Sequence, residues 1–396
     1  MKPHLLASFG PLPDIHGPSG RIYWRHLQRF LHDGWDVTVT ALDCRTSCPI
    51  AGAKILNLPS RRRWWPPVRT GFKSSVSLRN KLLAGYAAAQ LATRPPDLVL
   101  AGGGHPHIDL ARRLAARFAV PFHLILHDWW THFCATPDDA ALAAHLERRT
   151  FPAATCIWAV SPELAAEATK RGARQPRVLL PIPEGFPRPE PPAPRPAALK
   201  LVALGSYGRA HAPVYRALAR RAARVGGTLV IGGPQADQAS NDLSDEPNVI
   251  TLPYGPLSSA LHYASQSSAI VVAQPLPPAD HPWTLTSFPS KLLEFAHTGR
   301  PLLIMADPSS AVGRWALASN WQPYAANLSD TSIDQALTHL NDPAHWHEAA
   351  ARTLAAAKGA FAPDEIHNVL RDGMLASLRS PAWTATPEPK LSALPR

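Results

Sequence analysis

The sequence predicts an α/β protein of two doubly wound domains. Short apolar strands alternate with helical stretches twice over, and a proline-studded segment separates the two runs. A length of 396 residues is too long for one typical domain and comfortable for two, each with a full core.

In the first run, residues 4–8 read as a strand, 20–33 as a helix and 36–42 as the next strand. Residues 98–101, 108–119 and 122–126 repeat the unit, and 156–160 add a strand. Ser161-Pro162-Glu163-Leu164 then starts a helix, with a hydroxyl cap and a proline inside the first turn. Residues 181–196 carry too many prolines to continue a regular element. The second run begins with a strand at 200–204, which enters Gly205-Ser206-Tyr207-Gly208-Arg209, a helix through Val225 and a strand at 228–232. Residues 249–252, 269–273 and 301–305 supply further strands, and the pattern after Asp342 is helical. The predicted divisions are an N-terminal domain at 1–182, a linker at 183–198, a C-terminal domain at 199–342, terminal helices at 343–380 that cross back to the N-terminal domain, and a flexible tail at 381–396.

A hydrophobic content of 45% with 17% charged residues fits a soluble globular enzyme. No apolar run approaches membrane-spanning length, and residues 1–14 lack the apolar core of a secretory signal, so the expected location is the cytoplasm. Four cysteines make no disulfide framework; Cys44 and Cys48, spaced C-x3-C, are expected to be free thiols. A formal charge of +11 draws anions. The densest basic stretch, Arg61, Arg62 and Arg63 followed by Trp64 and Trp65, interleaves cations with amphipathic aromatics, as suits an anionic bilayer surface on the inner membrane face. The alternative is a solvated loop whose tryptophans pack on their own domain. Nucleic acid is not expected, because no binding motif accompanies the charge.

The densest chemistry lies at 287–304, SFPSKLLEFAHTGRPLLI. Pro289 suits a first helical turn, Ser290 and its neighbours offer free backbone N–H groups, and Lys291 adds a point charge, which together suit a diphosphate. Glu294 lies one turn deeper on the same face, where a carboxylate accepts hydrogen bonds from a ribose. The plainer alternative is an amphipathic helix with one Lys and one Glu on its wet side.

The string resembles the nucleotide-sugar signature of family 4 glycosyltransferases (group 1) and their GT-B relatives. The resemblance implies two Rossmann-like domains facing a cleft, and a hexosyltransferase-type enzyme (EC 2.4) that moves a sugar from a nucleoside-diphosphate sugar of UDP or GDP type to a glycan, a lipid-linked glycan or a small molecule. It implies retention of anomeric configuration, no metal and no further cofactor. Lys291, Ser290, Arg209 and Gly205 would then hold the diphosphate and Glu294 the ribose. Eight positions before Glu294 the family often carries a second glutamate; Thr286 stands there, so the donor sugar falls to Thr286, Ser287 and Phe288 and is held by the backbone of Leu285 to Pro289, or the site is not a standard one. Gly102-Gly103-Gly104-His105-Pro106-His107 resembles the family segment whose histidine contacts the transferred sugar, with His105 the closer match and His107 the reserve. His127-Asp128-Trp129-Trp130 resembles the family's His-Asp sequence; Asp128 would accept an acceptor hydroxyl or orient His127, and the tryptophans would stack on sugars. The loop with Asp14, His16, Gly17 and Ser19 resembles the acceptor loop.

Two rivals remain open on sequence. One is an inverting transferase with Asp14, His16 or Asp128 as base. The other is a silent scaffold that binds nucleotide or lipid in a glycan assembly complex. Glycoside hydrolysis is disfavoured, since no convincing pair of catalytic carboxylates appears.

Overall fold

The computed structural model describes residues 2–10, 18–42, 50–59, 72–103, 105–134, 136–185 and 194–379. The chain divides into two compact units, Met1–Leu179 with His367–Arg396 in one and Leu180–Ile366 in the other. Each is built on a parallel sheet with helices between its strands.

In the first unit the strands are β1 (His4–Gly10), β2 (Asp36–Leu42), β3 (Lys54–Leu58), β4 (Leu98–Gly103), β5 (Phe122–Leu126), β6 (Cys156–Ala159) and β7 (Pro176–Val178). Their order is β3-β2-β1-β4-β5-β6-β7. It reverses between β1 and β4, and at such a switch point the crevice outside the carboxyl ends is where open α/β sheets take ligands. Register sets Gly10 opposite Gly103 at that place. β4, β5 and β6 are almost wholly buried, as a parallel sheet covered by helices requires, and this is why they read as continuous apolar runs.

The helices of this unit are α1 (Pro18–His32), α2 (Phe72–Gln90), α3 (His105–Phe118), α4 (Pro137–Thr150) and α5 (Pro162–Lys170). Ser161 caps α5 as its sequence predicts, its Oγ accepting the Leu164 N–H at 3.0 Å. Asp109 on α3 is fully buried, accepting from Arg112 and Arg113 of its own helix and from Asn80 of α2, which fixes the two helices together.

The second unit has β8 (Lys200–Leu204), β9 (Thr228–Gly232), β10 (Val249–Leu252), β11 (Ala269–Ala273), β12 (Leu302–Met305) and β13 (Tyr324–Ala325), in the order β10-β9-β8-β11-β12-β13. The reversal falls between β8 and β11. Helices α6 (Ala212–Arg224), α7 (Ala236–Asp242), α8 (Leu257–Ser265), α9 (Ser290–Ala296), α10 (Ala311–Ala318), α11 (Asp330–Asn341) and α12 (Pro343–Lys358) complete it.

The last helix, α13 (Pro363–Arg379), begins in the second unit and from His367 counts with the first. There it lies close: a Cβ on Gly373 would fall 2.3 Å from the Trp158 ring, and the Nδ1 atoms of His26 and His367 are 3.2 Å apart. Strands β3, β7 and β13 were not among those expected. β3 is a half-exposed strand with Lys54 and Asn57, β7 has three residues and opens on Pro176, and β13 has two, so none presents an apolar run.

Candidate functional site

In the second unit, β8 delivers Gly205 to the switch point. Gly205 sits at φ +106° and donates its N–H to the Gly232 carbonyl at 2.8 Å. A Cβ there would fall 2.5 Å from Cε of Lys291, and one on Gly233 would fall 2.0 Å from the Gly205 carbonyl oxygen. Lys291, second residue of α9, therefore lies directly over the glycine, its Nζ donating to the Ser206 carbonyl at 3.2 Å. It is half-buried and crowded, and this burial pulls its ammonium down to about 8.

Pro289 is the residue before α9 rather than inside its first turn, and Ser290, the first helical residue, is exposed. Glu294 is buried one turn further on. Of the three residues expected at the donor sugar, Thr286 and Ser287 are half-buried; the Thr286 hydroxyl donates to the Trp283 carbonyl at 3.4 Å. Phe288 is turned into the core, 5% exposed and edge-on to Trp315, so its side chain holds the segment in place and offers no sugar-facing surface.

Arg209 opens a single turn of 3-10 helix and points to solvent at 82% exposure, 3.7 Å from Asp242. His211, in the same turn, is kept neutral with a pKa near 4 by burial and then by the Lys291 charge. One residue went unnoticed in the sequence. Gln274 follows β11 at the switch point, is 3% exposed, and donates its Nε2 to the Ser287 carbonyl at 3.4 Å, while its buried Oε1 has no hydrogen-bond partner among the described residues. A polar residue directly after the apolar run AIVVA was the available signal.

In the first unit, the glycine run serves the protein's own packing. A Cβ on Gly102 would strike the Tyr23 ring at 2.7 Å, and one on Gly103, at φ +80°, would fall 1.9 Å from the Gly10 carbonyl oxygen. Of the two guests such a glycine run can take, another backbone or a sugar, Gly103 takes the backbone of Gly10, and Gly102 takes the Tyr23 ring. Tyr23 stacks on Phe9 at 4.2 Å and on His127 at 5.3 Å, with its hydroxyl at the Gly103 backbone. Burial and then the Asp128 charge push that hydroxyl's pKa far up, so it stays protonated.

His105 is the first residue of α3, and its side chain is outside the described ones. His107 is the histidine found at the switch point: its ring occupies the space over Gly10, where a Cβ would meet Cδ2 at 2.4 Å. Its buried Nδ1 has no hydrogen-bond partner among the described residues, and burial, then Arg79, lower its pKa to about 4. His127 is lowered to about 4 by burial, and Asp128 is half-buried after the carboxyl end of β5. Trp129 and Trp130 do not form a sugar platform. They are 2% and 9% exposed, both edge-on to Phe151, with the Arg171 guanidinium 3.8 Å over Trp129. Asp14, His16, Gly17 and Arg61 to Trp65 lie outside the described residues, as does the Ser19 side chain.

Among the described residues, no group of three His, Cys, Asp or Glu side chains is placed to hold a metal ion, and no helix is long and apolar enough to cross a membrane.

Residues 20–183 match the family model of the glycosyl transferase 4-like domain. The chain has the GT-B fold. Solved structures of that architecture align over nearly the whole length. A glycosyltransferase from Rickettsia africae aligns at TM-score 0.69 and 10% identity, over 96% of this chain and 99% of that one. Sucrose-phosphate synthase from Thermosynechococcus elongatus aligns at 0.67 and 15%, over 95% and 98%. HepE from Anabaena aligns at 0.65 and 14%, over 95% and 100%. No curated protein matches the chain in sequence. The GT-B assignment agrees with the two reversed strand orders, which give each unit a ligand crevice at its own switch point.

Proposed function

We propose that this protein is a glycosyltransferase that moves a sugar from a nucleoside-diphosphate sugar to a hydroxyl acceptor. What supports this most is the placing of Lys291 over Gly205 at the switch point of the second unit, with Glu294 one helical turn deeper. Lys291 and Ser290 then take the diphosphate above Gly205, which, against the sequence expectation, gives the anion no donor because its own N–H is spent on the Gly232 carbonyl; Arg209 swings in from solvent, and Glu294 takes the ribose hydroxyls. Gln274 Oε1, Thr286 and Ser287 border the transferred sugar. HepE, a neighbour in fold, was solved with UDP and glucose and with UDP-glucose, which favours a UDP-type donor.

His105, His107 and Asp128 in the first unit stand at the acceptor side, and the neutral imidazole of His107 suits a hydrogen bond to a sugar hydroxyl. In the retaining, metal-independent course, the acceptor oxygen bonds to the anomeric carbon as the bond to the diphosphate oxygen breaks. The acceptor proton passes to the leaving phosphate, whose charge Lys291 and Arg209 neutralise. An inverting course would use Asp128 as base instead, and the anomeric configuration of the product separates the two. The basic segment at 61–65 would hold the protein on an anionic inner membrane face.

The test is calorimetry with UDP, GDP and the two nucleosides. Lys291→Ala should weaken diphosphate binding about tenfold or more and leave nucleosides unaffected, whereas Glu294→Ala should weaken both. Unchanged affinity in both folded variants would remove the assignment.

A further inference from the structure

The first unit holds a second concavity, at the opposite end of its sheet from the switch point. Its volume is 310 Å³, and Arg174, Gln175, Arg177, His123, Trp158 and Ser377 are among the residues that line it. His123 is near the start of β5, whereas His127 and Asp128 follow that strand's end, so the pocket and the acceptor side are separated by the length of a strand. Register carries the lining across the sheet: His123 pairs with Cys156 and Trp158 with Arg177. The face of α13 at Gly373–Ser377 closes the remaining side.

The floor is polar and fixed. Trp158 donates its Nε1–H to His123 Nδ1 at 3.2 Å, which leaves the His123 proton on Nε2, 2.9 Å from Ser377 Oγ. The Ser377 hydroxyl in turn donates to the Met374 carbonyl at 2.6 Å. Every donor in this chain is committed, and the imidazole is neutral. The rim is cationic: Arg174 and Arg177 are exposed, and neither has a hydrogen-bond or ion-pair partner among the described residues. The Arg177 guanidinium lies 6.0 Å over the Trp158 ring, and no carboxylate is among the lining residues. Two unpaired guanidiniums beside a concave, neutral, hydrogen-bonded floor form a charge arrangement that an anion completes. Guanidinium forks match the oxygens of a phosphate, and the volume is at the lower end of small-molecule sites, roughly 300–1,000 Å³.

We propose that this pocket binds a small phosphate monoester, gripped by Arg174 and Arg177 against the Trp158 and His123 floor, independently of both switch-point crevices. The probes are glucose 6-phosphate and inorganic phosphate, with glucose and malonate as controls, at constant ionic strength on the full chain. Saturating UDP is present so that a phosphate entering the second unit's crevice is excluded. Glucose 6-phosphate should bind by calorimetry and raise the melting temperature under these conditions, and glucose should do neither. The double variant Arg174→Gln, Arg177→Gln should lose affinity tenfold or more while UDP affinity stays as in the wild type, the latter also reporting that the variant is folded. If the double variant does not fold, Arg174→Gln alone reads the same loss. Absence of binding in the wild type at low salt, full affinity in the variant, displacement by UDP, or a malonate response as strong as that of the phosphate ester would each overturn the proposal.

Discussion

A methylene of Lys291 occupies the place where a side chain on Gly205 would stand, with Cε 2.5 Å from the position of a Cβ. The lysine is thereby pressed onto the end of β8, 86 positions away in sequence, and its ammonium is set down at the Ser206 carbonyl. Gly205→Ala should therefore do two things at once. The residue's φ of +106° and the collision should cost about 1–3 kcal/mol of stability. Displacement of Lys291 should also weaken UDP binding in the remaining folded protein. Urea titration and calorimetry measure the two separately, and an unperturbed UDP affinity would show that Lys291 is not the diphosphate contact.

The depressed Lys291 pKa gives a direct signature of anion capture. In the free protein the ammonium titrates near 8, so at pH 8.5 most of it is neutral. A bound diphosphate favours the charged form and returns its pKa toward the usual lysine range, so binding at pH 8.5 should take up about 0.7 proton. Calorimetry in buffers of different ionisation enthalpy reads this number. Lys291→Ala should show no uptake, and an equal uptake in that variant would assign the proton elsewhere.

On the acceptor side, His105→Ala should lower kcat about tenfold or more with the Kd for UDP unchanged, since a group that meets the sugar in the reacting geometry acts on turnover. His107→Ala should reduce kcat too, and should also destabilise the protein, because its ring fills the space over Gly10. Normal turnover in His105→Ala with impaired turnover in His107→Ala would move the role to the second histidine.

Acid should unfold the first unit through its neutral histidines. Burial lowers His123 to about 3 and His367 to about 4, and His26 is lowered by burial and by the facing His367. The unfolded chain takes up these protons near pH 6.5. Between about pH 6.5 and 4 it therefore binds more protons than the native state, so stability is full above 6.5 and falls as pH drops through that window. His123 and His367 should each contribute on the order of 2 kcal/mol of loss by pH 4.5. Urea midpoints at pH 7, 6 and 5 test this, and His367→Asn should flatten the decline; equal midpoints at pH 7 and 5 would refute it.

The sheet strands inside each unit were legible because parallel strands buried on both faces must be continuously apolar, as in LVL before Ala101 or AIVVA before Gln274. Lys291 and Glu294 were legible because helical spacing is local. The fit of Tyr23 over Gly102, 79 positions apart, was not, since sequence carries no record of which distant ring a glycine accommodates. For the same reason the tryptophans after Asp128 looked like a stacking surface, when Phe151 and Arg171 were the groups that would cover them.

The interrupted chain path of the first unit has a consequence during synthesis. Residues 1–179 leave the ribosome well before His367, and at about 5–20 residues per second the whole of 180–366 takes on the order of ten seconds or more to follow. Throughout that interval the Trp158 ring lacks Gly373 against it, and His26 and His123 lack His367 and Ser377. The nascent first unit must therefore wait, incompletely covered, for its final piece, and a chain stopped before Pro363 would carry that uncovered surface permanently and be a ready target for chaperones and proteases.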